Sequence, residues 1–417
     1  MTITKRIEVF GLGYIGLPTA ALFAVSGATV IGVDVRQGTV DTLNEGRTHI
    51  FEPGLDAVVK EAVSSGSLRA TLVPEPADVF IIAVPTPFKE NHEPDLSYVE
   101  AATRALAPQL AAGNLVILES TSPVGTTDKM VEWLRSERPD LTFPEEGSVD
   151  AADISIAYCP ERVLPGQILR ELRSNDRIIG GISNQCAQAA TEVYQLFVTG
   201  KCVVTNARTA ELAKLSENAY RDVNIAFANE LSLLSDSLDI DVWELIGLAN
   251  LHPRVNILNP GPGVGGHCIA VDPWFIVHSA PDDVSLIPTA RRVNDGKPSW
   301  VVEKVKAALT QKGSGSATVA CFGLAYKPNI DDLRESPAVA VVQQLAKVPG
   351  VRVIVVEPHV TELPSAVTMS NVEHCSIGEA LDQADVIVGL VAHDAFVNLD
   401  PGQFGGRPVL DTVGMWK

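Results

Sequence analysis

Short apolar runs alternate with amphipathic stretches through the first 120 residues. Residues 7–10 read as a strand, followed by Gly11-Leu12-Gly13-Tyr14-Ile15-Gly16 and an alanine-rich helical stretch from Pro18 to about Ser26. Residues 29–33 give the next strand, which ends at Asp34. Residues 78–84 and 115–118 follow, read as continuous apolar runs of the kind buried on both faces of a parallel sheet. The pattern recurs near the C-terminus: 317–322 reads as a strand, 336–346 as a helix and 351–356 as a strand ending at Glu357. Ala384-Asp385-Val386-Ile387-Val388 echoes Ala77-Asp78-Val79-Phe80-Ile81. The second half keeps only Gly323 of the glycine pattern, so it need not bind a dinucleotide.

Between these halves, residues 209–237 hold no Gly or Pro and place apolar residues at three- and four-residue intervals. Such a helix would span roughly 43 Å at 1.5 Å per residue, enough to connect two lobes and supply a dimer surface. The pattern predicts an α/β chain of two Rossmann-like doubly wound domains joined by a long central helix and a helical middle domain. The expected boundaries are 1–205, 206–312 and 313–417, with Gly313-Ser314-Gly315-Ser316 as a flexible joint.

Composition narrows the function classes. A chain of 417 residues with 46% hydrophobic and 20% charged residues has the make-up of a globular protein of several domains. No apolar run is long enough to span a membrane, and the N-terminus lacks the apolar stretch and cleavage site of a secretory signal. The net charge of −19 and the lack of a basic stripe argue against nucleic acid as a partner. Six scattered cysteines without a C-x-x-C pair argue against a zinc site or disulfide framework, and for a reducing, cytoplasmic setting.

The first glycine motif follows a strand, opens a helix and is trailed by an acid 18 residues after Gly16. That context reads as a dinucleotide site: Gly11, Gly13, Tyr14, Ile15 and Gly16 would meet the pyrophosphate at the helix start. Asp34 would accept from the adenosine ribose hydroxyls and repel a 2′-phosphate, favouring NAD over NADP, an inference that Arg36 softens slightly. Thr86, Thr121 and Thr126 follow further strands, in loops where open α/β sheets bind ligands. Each is a candidate for the cofactor or an activated water, or equally a loop cap.

The most unusual segment is Asn259-Pro260-Gly261-Pro262-Gly263-Val264-Gly265-Gly266-His267-Cys268. Four glycines and two prolines among residues 259–266 shape a loop that delivers one cysteine just before Asp272-Pro273, read as N-cap and first residue of a helix. A thiol near a helix start and cationic groups is a competent nucleophile. On the long helix, Lys214, Asn218 and Arg221 share one face at i, i+4 and i+7. The row is either a solvated stripe with Glu211 and Glu217 as partners, or a cleft row that stabilises oxyanions and holds phosphate.

Taken together, residues 11–20, 84–87, 119–126, 159–166, 211–218, 261–272 and 322–337 resemble the UDP-glucose/UDP-N-acetylmannosamine 6-dehydrogenases over nearly the whole chain. The resemblance implies an NAD domain, a dimerising helical middle and a UDP-binding C-terminal domain, acting as a homodimer with no metal. It implies two hydride transfers to NAD and hydrolysis of a thioester. Cys268 would be the nucleophile, Lys214 the acid/base and oxyanion partner, and Asn218 and Asp272 supports for the oxyanion and water. Glu161 would assist as base and Thr121 hold a water. Arg162, Val163, Arg221, His252, Gly265 and Lys327 would surround the UDP-sugar, Arg334 the cofactor edge, and Arg254 would reach the substrate across the dimer. Pro165 and Val271 replace an acid and a lysine of the UDP-glucose members. Those changes resemble the 2-acetamido-sugar branch and imply UDP-N-acetylmannosamine, ahead of UDP-GlcNAc, UDP-GalNAc or UDP-glucose, as the substrate for a surface polysaccharide precursor.

Overall fold

The computed structural model describes residues 5–89, 92–145, 152–266, 268–312 and 315–416. His267, Gly313 and Ser314 therefore lie outside the described residues. The chain forms two compact units, residues 1–216 with 274–279, and 217–273 with 280–417.

The first unit is built on eight strands: β1 Arg6–Phe10, β2 Thr29–Val33, β3 Leu68–Thr71, β4 Val79–Ile82, β5 Leu115–Leu118, β6 Ser155–Tyr158, β7 Arg177–Gly181 and β8 Cys202–Asn206. Their order is β3-β2-β1-β4-β5-β6-β7-β8, parallel except between β6 and β7. The second unit holds β9 Ala317–Phe322, β10 Val351–Val356, β11 Val372–His374, β12 Val386–Gly389 and β13 Val409–Asp411. These are all parallel, in the order β11-β10-β9-β12-β13. That order repeats the first five strands of the larger sheet, so both sheets are Rossmann-like and doubly wound. β4, β5 and β12 are buried throughout, as their apolar runs require.

The repeated Ala-Asp-Val segment has a structural cause. The Asp78 carboxylate accepts from the Arg6 N–H at 2.7 Å while the Asp78 N–H donates to the Arg6 carbonyl. Asp385 does the same with Thr318, its carboxylate accepting at 2.9 Å. In both sheets an aspartate just before the fourth strand fixes its register against the first.

Six helices bear on the site: α1 Gly16–Val25, α2 Thr126–Glu137, α3 Ala207–Ser237, α4 Asp272–Ser279, α5 Leu286–Lys312 and α6 Pro337–Ala346. Asp272 is the first helical residue of α4 rather than its N-cap, one position from the expectation. On α3 the usual amphipathic pattern is mixed, with polar residues on the buried side beside Leu215 and several alanines. Glu211, Lys214, Asp222, Asn229 and Ser232 are buried, while Tyr220, Phe227 and Leu234 are 70%, 54% and 50% exposed. Buried polar groups and exposed large apolar ones are the departures that call for a functional reason. Among the described residues no helix is long and apolar enough to cross a membrane.

Candidate active site

In the first unit the loop after β1 is shaped as a cradle. Gly11 has φ +86°, and a Cβ there would lie 2.6 Å from the Ala83 carbonyl oxygen. A Cβ on Gly16 would collide with the Gly11 carbonyl, whereas one on Gly13 would meet nothing within 4 Å. The loop is thus tight underneath and open where a pyrophosphate would approach the start of α1. Tyr14 is exposed and Ile15 half-buried beside it. Asp34, at the end of β2, accepts from the Leu12 N–H at 3.1 Å through one oxygen and the Arg36 N–H at 3.0 Å through the other. The Arg36 guanidinium stands mostly in solvent, 3.4 Å from the same carboxylate.

The loops after β4 and β5 are fastened together. The Thr86 hydroxyl donates to the Thr121 carbonyl at 2.5 Å, and Ser120 Oγ to the Val84 carbonyl at 2.7 Å. The Thr126 hydroxyl is buried and donates to the Pro123 carbonyl, closing the turn into α2. Glu211 reaches the same turn from α3. Its carboxylate accepts from Gly125 N–H at 2.6 Å, Thr127 N–H at 2.8 Å and Thr127 Oγ1 at 2.6 Å. Burial pushes its carboxyl up to about 7 against those three donors. Glu211 is therefore the N-terminal cap of α2 and not part of a solvated stripe.

Lys214, one turn further along α3, is also buried, and its ammonium lies 3.3 Å from Glu161 Oε1. The second Glu161 oxygen accepts from the Val163 N–H, so that N–H is already engaged. The Arg162 guanidinium donates to the Asp176 carbonyl. Nearby, Arg177 pairs with Glu119 at 2.8 Å in the interior, stacked 4.1 Å from the centre of the Tyr194 ring, whose hydroxyl also reaches Glu119. Burial raises the Glu119 carboxyl and drives the adjacent Cys159 thiol far above its ordinary range. Cys159 is thus inert. Neither this ion pair nor the cap at Glu211 has a local sequence signal; each joins residues more than fifty positions apart.

In the second unit, Cys268 is the exposed one of six free cysteines. Its carbonyl accepts from the Val271 and Asp272 N–H groups, so a single turn carries it onto the start of α4. The buried Asp272 carboxylate accepts from Asn218 Nδ2 at 2.6 Å. The preceding glycines are explained by what they touch. A Cβ on Gly265 would lie 2.5 Å from the Glu335 carbonyl oxygen, and one on Gly266 2.8 Å from the Tyr326 ring. Gly266 N–H donates to the Arg334 carbonyl at 3.2 Å. The cysteine loop therefore lies directly on the 323–336 loop. Lys327 and Arg334 are exposed on that loop, with Arg334 paired to Asp332.

The base of the 323–336 loop is fixed from below. Glu357, buried at the end of β10, accepts from the N–H groups of Leu324, Ala325 and His359 and lies 3.0 Å from His393 Nε2. His393 Nδ1 accepts from Asn329 N–H, which leaves the ring proton on Nε2, facing the carboxylate. These contacts hold the Glu357 carboxyl at about 2 against its burial. The structure thus brings together Lys214 with Glu161, and Asn218 with Asp272 and the Cys268 turn. Arg221 is exposed on α3, and His252 and Arg254 stand on their own exposed turn, where Arg254 N–H donates to His252 Nδ1 at 3.3 Å.

Comparison with known proteins matches the chain, in order, to three domains of the UDP-glucose/GDP-mannose dehydrogenase family. These are the NAD binding domain over residues 5–198, the central domain over 208–296 and the UDP binding domain over 320–417. The chain is 58% identical to an NDP-N-acetyl-D-galactosaminuronic acid dehydrogenase of Ralstonia nicotianae, covering 99% of this chain and 96% of that protein. It is 57% identical to a UDP-N-acetyl-D-mannosamine dehydrogenase of Yersinia pestis, covering 99% of each. The solved structure of a UDP-D-ManNAc dehydrogenase from Pyrococcus horikoshii matches with a TM-score of 0.86 and 40% identity, over 99% of this chain and 96% of that one. The glycine cradle with its acid suits a dinucleotide and the matched domains run end to end: the chain belongs to the UDP-glucose/GDP-mannose dehydrogenase family and is an NAD-dependent nucleotide-sugar dehydrogenase.

Proposed function

We propose that the protein oxidises C6 of UDP-N-acetyl-D-mannosamine from alcohol to carboxylate through a thioester on Cys268, supplying a uronic acid for surface polysaccharide. The balanced reaction consumes two NAD+ and one water and yields two NADH, the carboxylate and three protons. The observation that carries this reading is the exposed Cys268 thiol, set on a turn whose far end is tied to Asn218. Pro165 and Val271, where UDP-glucose enzymes carry an acid and a lysine, support the acetamido sugar.

Bound NAD, held by the 11–16 loop and Asp34, supplies the hydride acceptor for both oxidations. The Lys214–Glu161 pair takes the C6 hydroxyl proton, the carboxylate providing a place to leave it. The Cys268 thiolate adds to the resulting aldehyde, keeping it covalently attached. Asn218 has a second N–H on Nδ2 beyond the one given to Asp272, and we assign it to the oxyanion. Water positioned by Thr121 and Asp272 then cleaves the thioester, with Glu161 as base. On this reading the functional segments are 1–205, 206–312 and 313–417, and the reaction is cytoplasmic.

The exposed apolar residues Tyr220, Phe227 and Leu234 recur every seven positions on α3. We assign that stripe to a homodimer contact, which would also let Arg254 reach a partner's substrate. Galactosamine configuration is the second reading, favoured by the Ralstonia relative. Assaying UDP-ManNAc, UDP-GalNAc, UDP-GlcNAc and UDP-glucose side by side with wild type and Cys268→Ser tests the proposal. UDP-ManNAc should give two NADH per carboxylate and Cys268→Ser less than about 1% of the turnover. Preference for UDP-glucose overturns the substrate, and near-normal turnover by the serine variant overturns the thioester.

A further inference from the structure

The loop that delivers Cys268 is fastened to α3 at both ends. Asn218 holds its exit through Asp272, and Asn229 holds its entrance, with Asn229 Oδ1 accepting from the Gly261 N–H at 2.9 Å. The two asparagines are eleven residues apart on α3, about 16 Å along the axis. Asn229 is fully buried and is the first link of a chain. Its Nδ2 donates to Asn294 Oδ1 at 2.8 Å, and Asn294 Nδ2 donates to Asp222 Oδ1 at 2.8 Å and to the Asp222 carbonyl at 3.1 Å. Arg291 Nη1 donates to Asp222 Oδ1 at 2.6 Å from the other side. All four side chains are at most 2% exposed.

The direction of every bond in this chain is fixed by chemistry. A carboxylate only accepts, so Asn294 must turn its amide nitrogen toward Asp222 and its oxygen toward Asn229. Asn229 must then turn its own nitrogen toward Asn294, which leaves its oxygen for the Gly261 N–H. No amide can flip alone without setting two acceptors or two donors face to face, at a cost of about 1–3 kcal/mol for each buried group left unmade. The entrance of the cysteine loop is thereby set by a charge on α3.

We propose that Asn229 and Asn294 are positioning residues for the dehydrogenase reaction: with Asp222 and Arg291 they fix the Gly261 end of the loop and so the approach of Cys268. The inference rests on the thioester reading for its effect on turnover, but not for its effect on the loop. Asn229→Asp keeps size and shape, still accepts from Gly261, and places an oxygen against Asn294 Oδ1.

The experiment measures kcat and KM from NADH formation, and the rate of Cys268 alkylation by iodoacetamide mapped by peptide mass spectrometry. Asn229→Asp should lower kcat about 100-fold, the effect of displacing a reacting group by roughly an ångström, with both KM values within about threefold. It should change alkylation of Cys268 at least about fivefold while Cys202 and Cys375 keep their rates. If Asn229→Asp does not fold, Asn294→Ser carries the same expectation, because its short hydroxyl cannot span the link. A folded variant with unchanged kcat and unchanged Cys268 alkylation overturns the proposal. If Cys268→Ser were to retain turnover, the thioester reading would fall while the alkylation readout still decided whether the chain of amides places the loop.

Discussion

Replacing Gly265 by alanine tests whether close packing sets the position of the cysteine loop. Gly265 does not have positive φ, so the change adds no backbone strain and acts by bulk alone. The new methyl would sit 2.5 Å from the Glu335 carbonyl oxygen, 2.8 Å from Pro337 Cδ and 2.8 Å from Tyr326 Cβ. None of these is the far end of a flexible side chain. Glu335 is held at φ +51°, and Pro337 opens α6 behind the Ser336 cap, so the obstacle is stiff and the cysteine loop is what moves. Reaching an ordinary contact of roughly 3.4 Å requires a shift of about 1 Å three residues before Cys268. A shift of that size costs about 100-fold in kcat, and the overpacking costs about 1–3 kcal/mol of stability. Initial rates of NADH formation, paired with thermal melts, separate the two effects. Gly261→Ala is the control within the same loop: its methyl would come no closer than 3.9 Å to any neighbour, and its N–H to Asn229 is kept. It should stay within about twofold of wild type. A Gly265→Ala enzyme with kcat within about threefold of wild type, or an equal loss in Gly261→Ala, would refute the reasoning.

Three further outcomes are expected. Asp34→Ser should raise KM for NAD about tenfold and increase the NADP-to-NAD ratio of kcat/KM, because a carboxylate that repels a 2′-phosphate is gone while Arg36 remains; an unchanged ratio speaks against that role. Glu357 has a folded pKa of about 2 against an ordinary 4.5, so its ionisation stabilises the second unit above about pH 4.5, and the contribution is lost as pH falls toward 2. After allowance for solvent screening it is worth about 2 kcal/mol. Hydrogen exchange of β9 and β10 peptides should therefore show Glu357→Gln weaker than wild type at pH 7 and the gap more than half closed by pH 3; a constant gap would contradict the assignment. Phe227→Glu should weaken self-association about 100-fold or more in analytical ultracentrifugation by placing an unpaired charge in the apolar stripe, and an unchanged sedimentation profile removes that stripe from the dimer contact.

Strand cores were legible where a run is buried on both faces, so 29–33, 115–118, 317–322 and 351–356 coincide with β2, β5, β9 and β10. The run at 78–84 shortened to Val79–Ile82 because Asp78 pairs with Arg6 through its side chain and the Val84 carbonyl accepts from Ser120 instead of a neighbouring strand. β7 gave no signal, since it opens on the buried Arg177 and closes on two glycines, and edge strand β8 exposes Val203 and Val204. On α3 the periodicity was readable but its sense was not. A helix that buries Glu211, Lys214, Asp222 and Asn229 beside Leu215 and several alanines, and exposes Tyr220 and Phe227 beside Glu217 and Arg221, does not declare its buried face by residue type. Cys268 stood out by the glycines around it. What those glycines avoid, Tyr326 and Glu335, lies some sixty residues away, and spacing along a chain reaches only the neighbours one helical turn or one strand step off.

The two sheets use one device to different ends. In each, the glycine after the first strand donates its N–H to the end of the second strand, Gly11 to Val33 and Gly323 to Val356, both at 2.8 Å. In each, the acid that follows the second strand accepts from the next N–H of that loop and from the N–H two residues beyond itself: Asp34 from Leu12 and Arg36, Glu357 from Leu324 and His359. A carboxylate has about four acceptor positions. Asp34 gives two to backbone N–H groups and a third, at 3.4 Å, to the exposed Arg36 side chain, so capacity is left for a ribose hydroxyl. Glu357 meets four donors, with Ala325 and His393 completing the set, and its side chain is fully buried. An acid so committed can fix a loop but has nothing left to offer a ligand. On the proposed reading, recognition in the second unit falls to side chains of that loop, where Lys327 and Arg334 are exposed, and the stiffness that Glu357 and His393 give the loop passes through Tyr326 and Glu335 to the glycines that seat Cys268.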